Sequence, residues 1–291
     1  MDLIIPTISQ GLLWSVLAIG VYLTFRVLDI ADLTVEGSFP LGAAVAATCL
    51  VKGLSPIPAI AVAAVAGMLA GVVTGWLTTK LKIPALLASI LTMIALYSVN
   101  LRIMGKANLS LLQSETIFTQ FAFISSNKQE VVLAVGLVSV VLICLLCYWF
   151  FGTEIGAAIR ATGFNPNMIR ANGVNTDNMI VLGLLISNAL VAISGALVGQ
   201  SNGFADVGMG VGTIVIGLAS VIIGEVLFGT SSFKNCLISV VLGSIVYRVV
   251  IAVVLQMGMP PNDLKLFTAI LVAAALSLPL IQSKIKRRAV K

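Results

Sequence analysis

Residues 130–151, EVVLAVGLVSVVLICLLCYWFF, and residues 179–200, MIVLGLLISNALVAISGALVGQ, are apolar blocks separated by GTEIGAAIRATGFNPNMIRANGVNTDN at 152–178. A helix needs about 20 apolar residues to cross a hydrocarbon core of about 30 Å, and each block has that length. The stretch between them is helix-capable but carries Glu154, Arg160, Arg170 and Asp177, which are costly in lipid. The chain therefore crosses a membrane, emerges for a polar excursion, and crosses back.

The pattern continues in both directions. Apolar spans fall at 4–25, 38–52, 56–79, 84–104, 130–151, 179–200, 211–229, 233–257 and 264–282, which makes about nine crossings. All are rich in Ala, Val, Leu, Ile and Gly and none alternates with period two. Only helices or closed barrels satisfy the backbone in lipid, so the expected fold is an all-α polytopic helical bundle. A chain of 291 residues with 59% hydrophobic and 10% charged residues and a mean hydropathy of +1.12 reads as one transmembrane domain over 1–291. The first span lacks a basic leader and a small-residue cleavage site, so it is read as a membrane span and not as a secretory signal.

Basic residues orient the bundle, because cytoplasmic loops retain Lys and Arg. Placing the tail Lys284, Lys286, Arg287, Arg288 and Lys291 inside also puts Arg26, Lys80, Lys82, Arg160, Arg170 and Lys234 inside. That is eleven of the 17 basic residues, with five on the other face and Arg248 within a span. The expected N-terminus is outside and the C-terminus cytoplasmic. Topology explains the net charge of +6, and no basic patch supports nucleic-acid binding.

Several chemistries lose support. The chain has no His, the commonest general base and a frequent metal ligand. Cys49, Cys144, Cys147 and Cys236 all fall in or at the edges of spans and read as packing residues. No G-x-x-x-x-G-K-[ST] phosphate loop is present. The chain is expected to bind no cofactor itself, and any ATP it depends on must sit on a partner subunit.

Small residues mark close helix approach: Gly67, Gly71 and Gly75, and again Gly195 and Gly199, repeat at G-x-x-x-G spacing. Gly208, Gly210, Gly212 and Gly217 instead weaken a helix, and after Gly203 they point to a re-entrant or broken element; a plain external loop is the alternative. In RVLDIADLTVEGSFPL, residues 26–41, Asp29, Asp32 and Glu36 are spaced to share a helical face, and Ser38 before Pro40 reads as an N-cap. Two readings stay open there: a broken helix whose terminus lines a solute path, or a solvated cytosolic turn. Polar groups in or beside spans mark Glu36, Ser38, Thr92, Asn188 and Thr213 as pathway candidates, although interhelical hydrogen bonds explain such residues as well. Arg248 must find a carboxylate, a carbonyl or water, and locking of two helices is the simpler role. The 105–129 connection, with Phe118, Phe121 and Phe123 among charges, reads as an external contact surface.

Three stretches together carry a family resemblance: VLDIADLTVEGSFPLGAAVAA at 27–47, GAAIRATGFNPNMIRANGVNTDNMIVLGLLISNALVAISGALVGQSNGF at 156–204, and GMGVGTIVIGLASVIIGE at 208–225. In this order they resemble the permease subunits of the branched-chain amino acid and ribose family of bacterial ABC importers, over roughly residues 8–282. The likeness is closer to amino-acid permeases, including tyrosine or tryptophan systems, than to the sugar branch. The acidic Asp29, Asp32 and Glu36 depart from the branched-chain version of the first motif.

The resemblance implies an inner-membrane permease that pairs with a second permease copy. It would receive a small solute from an extracytoplasmic solute-binding protein and move it inward as two separate ATP-binding cassette subunits close and reopen. Residues 153–173 would form the coupling helix docked in the ATPase. The residues agree independently: Glu154, Arg160 and Arg170 give a polar face, Ile155, Ile159 and Ile169 can fill a groove, and Gly163, Asn165-Pro166 and Gly173 mark turns; Asn175, in the motif Gly173-Val174-Asn175, joins the coupling residues through the resemblance. The competing classes are an ion-coupled secondary transporter, a membrane-embedded enzyme acting on lipid, and a structural bundle.

Overall fold

The computed structural model describes residues 4–123, 125, 127–258, 263, 266–270 and 273. The helices are α1 (Ile4–Tyr22, prolonged by a π-helical turn at Leu23–Val27), α2 (Val35–Val51), α3 (Pro56–Thr79), α4 (Ala85–Met104), α5 (Ile117–Gln120) and α6 (Lys128–Gly152). They continue with α7 (Glu154–Phe164), α8 (Pro166–Ala171), α9 (Thr176–Asn202), α10 (Thr213–Phe228) and α11 (Phe233–Gln256). Two short strands, β1 (Asn108–Ser110) and β2 (Phe204–Asp206), pair antiparallel with Leu109 opposite Ala205. The fold is an all-α polytopic bundle. Among the described residues seven helical stretches are long and apolar enough to cross a membrane, and α2, at 17 residues, is a shorter apolar helix. The span expected at 264–282 and the basic tail lie almost wholly outside the described residues.

At the centre stands α9, packed against α1, α2 and α3. Glycine permits that density. A Cβ at Gly71 would collide with the backbone oxygen of Leu184, one at Gly67 with that of Asn188, and one at Gly195 with that of Phe39. Both G-x-x-x-G series thus do what their spacing predicts, bringing helix backbones together where lipid offers no hydrophobic drive to do so.

Two elements do not run through. Leu28 packs on Gly183 of α9, and Asp32 reaches Asn188 near the middle of the same helix. Residues 28–34 therefore climb into the bundle without helical structure, and α2 begins inside it. From the opposite end the chain after α9 descends as β2 and a 3-10 turn, Val207–Gly210, along α2. It reaches Glu36, where Gly212 N donates to the carboxylate at 3.0 Å and α10 starts. The glycine-rich stretch is thus a broken element laid along α2, with Val207 and Gly210 buried against it and Val211 exposed.

Three expectations need correction. Asp29, Asp32 and Glu36 share no helical face, because Asp29 takes a left-handed turn (φ 55°) and Asp32 Oδ1 accepts from Thr34 N at 2.9 Å instead of continuing a helix. The solvated-turn reading holds only at the start of the turn, since Asp29 is exposed but Asp32 and Thr34 are buried. Ser38 is no N-cap: it lies inside α2, as does Pro40 two residues further on. Lacking an N–H, Pro40 frees the Glu36 carbonyl, and Gly210 packs directly on that carbonyl, which a Cβ would strike.

Gly71→Val should destabilise the bundle by about 3 kcal/mol through overpacking against backbone. Gly152→Val, where a Cβ meets nothing within 4 Å, should leave it unchanged. Fluorescence-detected size exclusion of the two variants after a temperature series reads the difference.

Candidate functional site

Where α2 and α10 begin, a cavity of about 320 Å³ opens against α4, with Glu36, Met93, Tyr97, Asn100 and Val211 in its wall. Its polar content is sparse. Glu36, in the first turn of α2, is half-buried, favourably placed at the positive end of the helix. Asn100, fully buried at 0% exposure, donates from Nδ2 to the carbonyl of Gly37 at 3.3 Å, while its Oδ1 has no hydrogen-bond partner.

The other pathway candidates stand elsewhere. Asn188 Nδ2 donates to Asp32 Oδ2 at 2.8 Å and to Leu184 O at 3.0 Å, and its Oδ1 accepts from Ser38 Oγ at 2.7 Å. Thr34 Oγ1 meets Thr74 Oγ1 at 2.7 Å beside them. Ser38 and Asn188 therefore belong to a closed, fully buried network that joins the residue 28–34 turn to α2, α3 and α9. Thr92 bonds back to the Ala88 carbonyl at 3.0 Å and Thr213 to that of Gly210 at 2.8 Å. Of the five candidates only Glu36 lines the cavity. Asn100 escaped the sequence reading because a single Asn in an apolar span carries no distinguishing signal.

At the other functional region, α7 and α8 lie across one end of the bundle. Thr153 caps α7 by accepting from Gly156 N, and Asn165 caps α8 by accepting from Met168 N, with Pro166 at the first helical position. Gly173 (φ 83°) closes α8 in the left-handed conformation, and Asn175 caps α9 by accepting from Asp177 N and Asn178 N. The segment expected as one coupling helix is divided into two at Asn165-Pro166, where the sequence placed a turn. Gly163 makes no turn; it lies within α7 and lets that helix press on the carbonyl of Val27, where a Cβ would collide.

The charged side chains of this segment are partly committed to its own fold. Arg170 donates to Thr176 Oγ1 at 2.6 Å and to Asp177 Oδ1 at 3.1 Å, and Lys82 approaches the other Asp177 oxygen at 3.4 Å. Arg160 lies over the Phe233 ring at 5.5 Å, and nearby Arg26 forms a salt bridge with Glu225. Among the described residues Glu154 makes no ion pair. Ile159 and Ile169, expected to fill a partner's groove, are buried in the chain's own core. The outward apolar groups are Ile155, Met168 and above all Phe164, which is 92% exposed.

At the opposite end, Gln200 Oε1 accepts from Ile117 N at 2.9 Å and ties α5 down. Phe118 is buried while Leu112 and Phe123 project. Arg248 stacks on Trp14 at 4.1 Å, and its Nε and Nη2 are buried without hydrogen-bond partners. No group of three or more possible metal ligands occurs among the described residues.

A membrane bundle with two interrupted helices meeting at a cavity, and a polar helical pair laid across one end, is the architecture of a transport permease. The family of branched-chain amino acid transport system permease components matches residues 3–276. The chain belongs to this family. It is 40% identical over 275 residues to a tyrosine transport system permease protein of Clostridioides difficile (strain R20291), covering 94% of this chain and 90% of that one. It is 33% identical over 281 residues to an uncharacterized protein of Rickettsia prowazekii (strain Madrid E), covering 95% and 98%. No solved structure matches the chain.

Asn188→Ala leaves Asp32 and Ser38 buried without their partner and should lower stability by about 1–3 kcal/mol. A melting curve of the variant in detergent that coincides with the parent's would mean that the network does not hold the turn.

Proposed function

We propose that the chain is the membrane-spanning permease subunit of a bacterial ABC importer for an amino acid or a derivative. It works as a pair with a second permease copy, in the cytoplasmic membrane, with the N-terminus outside and the C-terminus inside. Separate ATP-binding cassette subunits bind the nucleotide, since the sequence carries no phosphate loop, and an extracytoplasmic solute-binding protein delivers the solute. The name of the Clostridioides difficile relative favours an aromatic amino acid. Alternating access then opens the cavity at Glu36 first to one side and then to the other.

The observation that carries this reading is the α7–α8 pair. A bundle with no partner at that end has no use for a Phe with 92% of its surface exposed at the apex of two capped helices. Such an anchor suits a groove in a partner subunit, because buried aromatic side chains supply a large share of interface energy. Glu154 and Arg160 flank it as polar contacts. Arg170, already paired with Asp177, and Asn165, Gly173 and Asn175, as caps and turn, keep the pair rigid. At the other end Leu112 and Phe123 offer the binding protein an apolar contact next to Lys106 and Lys128.

Phe164→Ala should weaken retention of the ATPase by about 2 kcal/mol, roughly 30-fold in affinity, and uncouple solute-stimulated hydrolysis, while the bundle keeps its melting temperature. Equal ATPase recovery with parent and variant would remove the coupling role. In a background without the four native cysteines, Leu112→Cys should react with an impermeant maleimide added to intact cells and Phe164→Cys only after lysis; the reverse pattern would invert the orientation.

A further inference from the structure

Resting on the reading that the cavity lies on the solute route, we propose that Glu36 and Asn100 recognise the ammonium group of the solute. Two acceptors there are left over. Glu36 Oε1 takes the Gly212 N–H at 3.0 Å, and its second oxygen makes no hydrogen bond with the described residues. Asn100 spends its amide donor on Gly37 O, which fixes the orientation of the amide and leaves Oδ1 as an unpartnered acceptor in a fully buried side chain. A buried acceptor without a donor costs about 1–3 kcal/mol, and that cost is recovered when a ligand supplies the donor.

The sign of the charge selects the ligand. Among the described residues no Lys or Arg lines the cavity, and Glu36 is the only formal charge in its wall. An ammonium brings three donors and a positive charge to two acceptors, one of them anionic. A carboxylate would meet like charge and a second acceptor. The converging N-termini of α2 and α10 supply the one feature that favours an anion, and Glu36, hydrogen-bonded to Gly212, already occupies it. Apart from Ser98, the other side chains of the wall, among them Met93, Ile94, Tyr97 and Val211, are apolar or aromatic and suit an uncharged side chain.

The test uses the assembled transporter in lipid nanodiscs, without native cysteines and with Ser98→Cys as a reporter in the cavity wall. Maleimide labelling of the reporter is followed with tyramine, an amine without a carboxylate, and with 3-(4-hydroxyphenyl)propionate, a carboxylate without an amine. Tyramine should slow labelling and the propionate should not. Glu36→Gln and Asn100→Leu should each raise the protective tyramine concentration about tenfold or more, with ATPase recovery unchanged. Protection by the carboxylate alone, equal protection by both, protection by neither, or tyramine protection that survives Glu36→Gln would each overturn the ammonium assignment. The underlying reading is checked separately: if labelling the reporter leaves uptake at its full rate, the cavity is not on the route, whatever the amine does.

Discussion

The hydrogen bond from Asn188 to Asp32 is the contact on which the interior of this bundle depends. Backbone that is not helical finds no water at membrane depth, so it persists only where protein groups replace water. Asp32 takes the N–H of Thr34 with one oxygen and the Asn188 amide with the other, and Ser38 completes the Asn188 side. Without that closed set, residues 28–34 would have unsatisfied donors inside the bundle and α2 could not start where it does. The position of Glu36, the seat of Gly210 on its carbonyl and the start of α10 all follow from the depth at which α2 begins.

The same constraint explains what the sequence showed and what it hid. Crossings were legible because hydropathy integrates over about 20 residues and tolerates local errors. Gly67, Gly71 and Gly75 were legible because their spacing is itself the contact pattern. The polar segment between α6 and α9 was legible because lipid excludes it. The first acidic motif was misread: a spacing of three and four implies a shared face only if the residues are helical, and the left-handed Asp29 breaks that premise. Ser38 was mistaken for a cap because Pro40 normally sits in a first turn, whereas here Gly210 covers the carbonyl that Pro40 leaves free. Ile159 and Ile169 were assigned outward because a 3.6-residue period separates two faces without saying which is inward. Asn100 gave no signal at all, since its role comes from an orphaned oxygen that only tertiary packing creates.

The α7–α8 end is tied to the bundle at several points. Gly163 brings α7 onto the end of α1, Arg160 lies on Phe233 of α11, and Arg170 with Lys82 holds the first turn of α9. Arg26 links the π-turn to Glu225 of α10. These contacts connect this end, directly or through the π-turn, to α1, α9, α10 and α11, and the other end of α10 stands at the cavity. Close packing transmits shifts along such connections, because dense interiors do not absorb them. The exposed salt bridges add direction and little energy.

The long loop closed by Asp32 also sets a timetable. Its partner Asn188 lies 156 residues further along the chain, which at 5–20 residues per second is a delay of about 8–30 s during synthesis. Throughout that interval Asp32 has the local Thr34 N–H but lacks the Asn188 amide. The buried network around Asp32 can close only once α9 has been made.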